Sequence, residues 1–284
     1  FQVGFLVIWL GVVTLIADSI YSAAKHHDYP LEVKLWQPFY NLGYKPLPEM
    51  VAIPKGGFTR DDKDTDKVPI EIEIQKPFQL GKYEVTYKQY DYYVWTQKRK
   101  GIVDIKFPDE APGGSGNQPV VNINYNEATA YARWLGKQIE KECRLPNEFE
   151  WEYAAKAGTN TAYYWGKDIG INKANCDGCG SRWDDQQTAP VGQFKANPYG
   201  LYDMLGNVSE WTCSTLVSPS KNGSPSKNSI QKCPDSEDTL FHVLRGGSWD
   251  DDKNYVNTVA GIPAHRDNRR DHIGFRVLCS DTNE

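Results

Sequence analysis

Turn-forming residues dominate the second half of this chain and restrict it to a loop-rich fold. From Gly158 onward, Gly, Asn, Asp and Pro interrupt almost every stretch, and no apolar pattern with helical or strand spacing continues for long. Regular patterns are confined to the first half. The sequence therefore predicts an α+β fold whose second half is held by loops, short strands and cross-links.

The first half carries clear strand and helix signals. Residues 70–74 read IEIEI, and this alternation of apolar and charged residues is typical of a half-buried strand. Three helix starts follow, each with a polar residue three positions before Gln or Glu, the spacing of a capping box. These pairs are Thr86 with Gln89, Asn124 with Glu127, and Asn147 with Glu150.

The N-terminus is a separate apolar segment. Residues 1–17 carry no charge, and a helix that spans a bilayer needs about 20 apolar residues. We predict a single transmembrane anchor at 1–20, a polar connector at 21–49 and a globular domain at 50–284. The alternative for the apolar run is a cleaved secretory signal with a small-residue site near residues 22–24.

Six cysteines indicate an oxidising compartment. An even number in a loop-rich domain favours disulfides, although buried thiols in a reducing cytoplasm are the alternative. A bridge between Cys213 and Cys233 would close the base of the Ser/Lys-rich loop at 218–229. Cys176 with Cys179 would close a local loop, and Cys143 with Cys279 would remain. This pairing is the most economical of the fifteen that six cysteines allow.

The charge argues against one class of partner. The net charge is −5 and no long basic run is present, so nucleic-acid binding is not expected. With the anchor, the disulfides place the chain in a cell membrane as a single-pass protein, with its globular domain in the periplasm or outside the cell.

Eight distinctive sequence blocks occur along the chain. They are IPKGGF at 53–58, GKYEVT at 81–86, PVVN at 119–122, RLPNEFEWEYA at 144–154, APVG at 189–192, GLYDMLGNVSEW at 200–211, RGGSW at 245–249 and GFRV at 274–277. Taken together and in this order, they resemble the formylglycine-generating enzyme, or sulfatase-modifying factor, family. The resemblance covers roughly residues 50–279. It implies a compact mixed domain of the C-type-lectin-like type, in agreement with the loop-rich pattern.

The family's oxidase activity is not expected in this chain. Enzymes of the family use two cysteines shortly after the Arg-Gly-Gly-Ser block to bind copper(I), because this soft ion prefers sulfur. By spacing, Asp251 and Val256 occupy those positions. A carboxylate is a hard ligand and Val is no ligand, so neither copper nor the oxidase activity is expected and no catalytic residue is assigned.

Other metals remain to be considered. His265 and His272, with Asp251, Asp267 and Asp271, have the residue types of an iron site, although a solvated charged loop explains them better. The resemblance implies two structural calcium sites on loops. One would use Asp203, Glu210 and the carbonyls of Gly206 and Val208, and the other Asn175, the Cys176 carbonyl, Asp184 and Gln186. Loop capping by these side chains is the alternative.

These patterns favour a non-catalytic protein. We expect a membrane-anchored, extracytoplasmic binding or accessory subunit of a larger membrane complex, with a protein, peptide or glycan as its partner. The alternatives are a metal-dependent oxidoreductase with altered ligands and a carbohydrate-binding module.

Overall fold

The fold is built mainly from short β-sheets. The computed structural model of the chain describes residues 29–60, 69–109, 111–215, 233 and 239–282. The helices are α1 (Leu31–Asn41), α2 (Tyr87–Arg99), α3 (Tyr125–Ile139) and α4 (Glu148–Lys156). The strands are β1 (Met50–Ile53), β2 (Gly56–Arg60), β3 (Ile70–Ile74), β4 (Phe78–Gly81), β5 (Glu142–Arg144), β6 (Ser209–Thr215), β7 (Phe241–Arg245), β8 (Gly261–His265), β9 (Ile273–Gly274) and β10 (Leu278–Ser280).

The strands form three sheets. The first has the order β1-β4-β10-β5 and is antiparallel throughout, and β2 pairs with β3 in an antiparallel ribbon. The third has the order β8-β7-β6-β9, in which β6 and β9 are parallel. No helix or strand lies between Lys156 and Ser209, a stretch that the structure describes throughout. The predicted mixed, loop-rich fold is therefore confirmed.

The strand signal and two of the three capping boxes predicted in the first half are also confirmed. The helix α2 begins directly after Thr86, and the capping bonds of Thr86 with Gln89 stay a prediction. The IEIEI segment is β3, with Ile72 and Ile74 buried and both glutamates exposed. Both bonds of the capping box are present at Asn124 before α3 and at Asn147 before α4. Each satisfies two backbone groups that a helix start would otherwise leave without partners.

The internal contacts divide the chain into two compact units. Among the described residues, the smaller unit comprises 29–47 together with Lys88–Phe107, and the larger comprises those in Pro48–Tyr87 and from Pro108 onward. In the smaller unit, the Tyr40 ring of α1 lies 5.0 Å from that of Tyr92 and 5.1 Å from that of Trp95 on α2. Residues 31–41, predicted to be part of a polar connector, therefore form a packed helix, because their aromatic side chains have partners on α2.

The predicted membrane anchor lies outside the described residues. The anchor was predicted at 1–20, and the start of the predicted connector, residues 21–28, also lies outside them. Within the part of the chain that the structure describes, no helix has both the length and the apolar character needed to cross a bilayer.

A buried ion pair joins distant parts of the larger unit. The Arg276 guanidinium contacts both Glu210 carboxylate oxygens at 2.7–2.8 Å, and neither side chain is more than 1% exposed. Arg276 also donates to the carbonyls of Gly81 on β4 and of Tyr202. Trp151 of α4 donates its indole N–H to Glu210 at 2.7 Å. One guanidinium thus connects β4, β6 and a loop, and through Glu210 it also reaches α4.

We predict that Arg276→Met lowers the free energy of unfolding by about 3–5 kcal/mol, because it leaves a carboxylate buried without its cation. Urea unfolding followed by circular dichroism measures this loss. The matched control is Lys141→Met, which removes a surface ion pair with the 69%-exposed Asp281 and should cost less than about 1 kcal/mol. Equal losses in the two variants would contradict the structural role of Arg276.

Candidate functional site

The turn after β7 precedes Asp251 and Val256, the two positions at which the family resemblance implies cysteines. Gly246 and Gly247 both have positive φ angles, +96° and +73°. A Cβ atom on Gly247 would lie 2.9 Å from a methyl group of Val256, closer than packed atoms approach. The two glycines therefore let the chain reverse tightly and bring Ser248, which is fully buried, against the residues that follow.

Asp251, at the first cysteine position, caps this turn. Its Oδ2 accepts the backbone N–H of Ser248 at 2.9 Å and the Ser248 hydroxyl at 2.6 Å. Its backbone carbonyl accepts the N–H of Asp177 at 2.9 Å, which ties the turn to the Cys176–Cys179 loop. The Asp251 carboxylate therefore stabilises the turn, at a position where the family resemblance implies a metal-binding thiolate.

Val256, at the second cysteine position, belongs to the hydrophobic core. Its side chain is completely buried, in the same cluster as Trp151, Met204 and Cys176. All six cysteines of the chain are in disulfides. Copper(I) requires soft sulfur ligands. The residues present do not fit a copper centre, and no oxidation step is assigned to this site.

The three disulfides are the predicted pairs. Cys143 and Cys279 are direct neighbours across β5 and β10, Cys176 and Cys179 close a short loop, and Cys213 pairs with Cys233. The loop at 218–229, which the last bridge was expected to close, lies outside the described residues.

Beside the turn, His272 and Asp250 form a half-buried ion pair. The His272 Nδ1 lies 3.2 Å from Asp250 Oδ2 and 3.4 Å from Asp271 Oδ1, and the Ser248 hydroxyl lies 2.7 Å from Asp250 Oδ1. The hydrogen bond to Asp250 raises the pKa of His272. Partial burial would raise the pKa of Asp250, but the hydrogen bond from His272, with the Ser248 hydroxyl that Asp250 shares with Asp251, outweighs it and holds that pKa below its usual value. The ion pair between His272 and Asp250 was not predicted from the sequence.

The residues considered for an iron site do not converge. The carboxylate near His265 is Asp267, at 3.6 Å, whereas His272 lies against Asp250 and Asp271. Asp251 is engaged by Ser248. In the described ranges, no group of three or more His, Cys, Asp or Glu side chains is arranged to hold a metal ion. The charged-loop alternative describes this segment better.

The first segment expected to bind calcium is largely occupied by protein contacts. Both Glu210 carboxylate oxygens are bonded to Arg276 and one also to Trp151, so Glu210 is not available as a calcium ligand. Asp203 Oδ2 accepts the N–H of Gly192 at 2.6 Å, whereas Asp203 Oδ1 is buried and has no hydrogen-bond partner among the described residues. Of the two carboxylates expected in this site, Asp203 is therefore the one that retains an oxygen of the kind that a cation would satisfy.

Asp203 belongs to a buried acidic cluster that the sequence did not reveal. Burial, together with the charge of Asp203, raises the pKa of Glu84 well above its ordinary value, and burial raises the pKa of Asp203 to about 6. Glu84 Oε2 also has no hydrogen-bond partner within the described part of the chain. A partial signal was present at Arg276, which is the one charged residue in the block GFRV at 274–277.

The side chains of the second expected calcium segment cap loops. Asp184 accepts the backbone N–H groups of Gly178 and Gly180, and the Asn175 amide contacts Ser181 and the carbonyl of Gln187. The Cys176 carbonyl accepts the N–H of Cys179, and the Gln186 N–H bonds to Trp183. These contacts are those of the loop-capping alternative.

The two segments lie against each other. The Asn207 N–H donates to the Asn175 carbonyl at 2.8 Å, and a Cβ on Gly206 would lie 2.4 Å from that oxygen. Gly206 at φ +77° is therefore required by close backbone approach. Val208 is fully buried beside it.

Comparisons with known proteins agree with this fold. The profile of the sulfatase-modifying factor enzyme 1-like domain matches residues 40–280. The chain belongs to this family. It is 31% identical to the formylglycine-generating enzyme of Thermomonospora curvata over 81% of this chain and 93% of that protein.

Two further relatives bear on activity and fold. The chain is 28% identical to the inactive C-alpha-formylglycine-generating enzyme 2 of Mus musculus, over 86% of this chain and 89% of that protein. The solved structure of PvdO from Pseudomonas aeruginosa superimposes with a TM-score of 0.68 at 32% identity, covering 82% of this chain and 94% of PvdO.

Calcium binding remains a prediction, and Asp203 is the residue on which it depends most. We expect calcium to raise the melting temperature relative to excess chelator, with a stabilisation of about 2.7 kcal/mol at one hundred times the Kd. Asp203→Asn should abolish this rise, since Asn tolerates the left-handed backbone at φ 55° but carries no charge. Asp104→Asn, at an exposed position, is the control. An unchanged wild-type melting temperature with and without chelator would contradict calcium binding.

The His272–Asp250 pair predicts a pH-dependent contribution to stability. Because the pKa of His272 is raised, its contribution is fully present below about pH 6.5 and is lost as the pH rises through the raised pKa. The contribution of Asp250 is lost below about pH 4, since its pKa is lowered.

His272→Gln should therefore lower the free energy of unfolding by about 0.5–1 kcal/mol at pH 5.5 and by less at pH 8.5, after allowance for solvent screening of a half-buried pair. Urea unfolding at the two pH values measures the difference. His265→Gln, whose neighbour Asp267 is 68% exposed, is the matched control and should show little effect at either pH. A pH-independent loss in the His272 variant would contradict the ion pair.

Proposed function

We propose that this chain is a non-catalytic member of its family that acts as a membrane-anchored, extracytoplasmic binding or accessory subunit. One observation carries the proposal: a turn-capping Asp251 and a core-packed Val256 stand where the oxidase needs thiolates, and every cysteine is in a disulfide. The resemblance to a mammalian protein whose name states that it is inactive supports the same conclusion.

The cross-links and the apolar N-terminus support the proposed location. Three disulfides favour the periplasm or the cell exterior, where oxidised cysteine pairs persist. The uncharged run at 1–17 is the candidate single-pass anchor in the cell membrane.

The proposed binding role requires a surface that contacts a partner. The lectin-like fold presents irregular loops, and loops positioned by a rigid scaffold are common binding surfaces. Residues 113–118 form such a segment, and all of them except the buried Gln118 are exposed or half-exposed. The proposed partners are other subunits of a membrane complex, with a peptide or glycan as the ligand recognised.

The proposal predicts that protein purified from membranes in mild detergent contains no stoichiometric copper and does not consume oxygen with a cysteine-containing peptide, because no thiolate is present to bind copper. The same preparation should elute with partner subunits. Metal analysis, an oxygen electrode and mass spectrometry of the eluted particle provide the three measurements.

A double substitution provides the matched control for the copper measurement. Asp251→Cys with Val256→Cys restores two thiols at the spacing of the enzyme, and this variant should bind copper(I) where the wild-type chain does not. Copper together with oxygen consumption in the wild-type protein would overturn the non-catalytic role. A monomer that elutes alone would overturn the subunit role.

A further inference from the structure

An apolar stripe on α1 faces solvent. Leu31, Leu35, Phe39 and Leu42 are 73%, 64%, 49% and 71% exposed. At 100° per residue these four positions fall within about 80° of the helix circumference, so they form one continuous stripe. Val33 and Tyr40, on the opposite side, are buried. The helix therefore packs through one apolar face and exposes another.

Exposed apolar side chains are concentrated in the smaller unit. Of the twelve large apolar residues that are exposed among the described residues, seven lie there: Leu31, Leu35, Phe39, Leu42, Tyr44, Ile102 and Val103. The described residues of this unit, 29–47 and 88–107, are a small share of the chain. The four residues of the α1 stripe are the continuous part of this surface, and a continuous exposed apolar patch marks an interaction site.

The end of the stripe adjoins a basic loop. Arg99, at the end of α2, donates a hydrogen bond to Asn41, at the end of α1. The loop that follows Arg99 carries Lys100 and then the exposed Ile102 and Val103. The end of the stripe at Leu42 and this loop therefore lie at the same end of the unit.

The charge of the smaller unit is opposite to that of the whole chain. The chain carries −5, whereas the described residues of this unit contain seven basic and three acidic side chains, a net charge of +4. The basic residues are Lys34, Lys45, Lys88, Lys98, Arg99, Lys100 and Lys106. Each basic residue near an anionic membrane surface contributes about 1 kcal/mol of attraction.

Aromatic residues border the stripe. Trp36 stacks on Tyr44 with ring centres 5.4 Å apart, and the Lys88 ammonium lies 3.8 Å from the centre of the Trp36 ring. Trp and Tyr are enriched at the level of lipid headgroups because their rings are apolar and their edges polar. A stripe of Leu and Phe beside Trp, Tyr and Lys is the composition of a helix that lies in a membrane interface.

We propose that α1 and residues 100–103 form a membrane-facing surface, in which the apolar stripe enters the headgroup region of an anionic bilayer and the basic residues contact lipid phosphates. This inference rests on the membrane location in the proposed function, but it does not require residues 1–17 to span the bilayer. Thirteen residues, 18–30, separate the end of the apolar run from Leu31, so an anchor there would keep α1 near the same membrane. The surface adds a second contact with lipid that would fix the orientation of the smaller unit on the membrane.

Photolabelling from within the bilayer tests the surface directly. The full chain is reconstituted in phosphatidylcholine vesicles containing about one-third phosphatidylglycerol and an acyl-chain diazirine, and labelled peptides are mapped by mass spectrometry. We expect peptides covering 31–42 and 100–103 to be labelled about tenfold more than those with the exposed apolar residues Ile171 and Tyr255. Pure phosphatidylcholine or high salt should reduce this labelling, because the electrostatic contribution is screened or absent.

Paired substitutions locate the contact. Leu35→Asp with Leu42→Asp should abolish labelling of α1, and Lys98→Glu with Lys100→Glu should reduce it on anionic vesicles alone. Ile171→Asp, at a position that is 80% exposed in the larger unit, is the matched control and should change nothing. An unchanged thermal transition shows that each variant is folded.

Three results would overturn the proposed membrane-facing surface. The first is that α1 is labelled no more than the Ile171 peptide, and the second is that labelling survives the Leu35 and Leu42 substitutions. The third is that α1 is shielded from a water-soluble carbene in the absence of lipid. The last result would mean that another part of the chain or a second copy covers the stripe, and native mass spectrometry separates these two occupants. Extraction with alkaline carbonate distinguishes this inference from the anchor. A protein that is extracted but labelled at α1 lacks the anchor and keeps the surface, whereas one that resists extraction and is unlabelled there has only the anchor.

Discussion

The buried pair between Arg276 and Glu210 is the contact on which the architecture of the larger unit depends. A loop-rich chain has few long elements that could pack by shape alone, so its segments must be joined by specific contacts. Arg276 satisfies a carboxylate on β6 and the carbonyls of Gly81 and Tyr202, while Trp151 donates to the same carboxylate. In an interior of low dielectric these groups are tolerated only together, because each one left alone would carry a large desolvation cost.

A second buried pair holds α4 from the other side. Arg245, at the end of β7, contacts Glu152 at 2.8 Å, and neither side chain is exposed. Both pairs involve residues of α4, namely Glu152 directly and Trp151 through Glu210. The sequence blocks at 144–154, 200–211, 245–249 and 274–277 therefore depend on one another through their charges, which explains why blocks so far apart occur together.

In the turn after β7, both residues at the positions where the family resemblance implies thiols have structural contacts. Gly246 and Gly247 make the reversal, Asp251 bonds to Ser248, and Val256 fills the core. Neither contact needs a metal. The smaller unit differs from the whole chain in the sign of its charge and carries seven of the exposed apolar side chains, which is why the proposed membrane-facing surface is placed there.

Local patterns determined what depends on neighbours a few residues apart. The capping boxes at Asn124 and Asn147 and the alternation in β3 could be predicted because their hydrogen bonds and side-chain directions are set within one or two turns or one strand. The ordered blocks identified the family, and the cysteine positions led to the correct pairs. Only the tertiary structure decided that Glu210 is bonded to Arg276, 66 residues away, and that α1 is packed by Val33 and Tyr40 and not by Leu31 and Leu35. Apolar residues lie on both faces of that helix, so the face that becomes buried depends on contacts with α2, which the sequence of the helix does not contain.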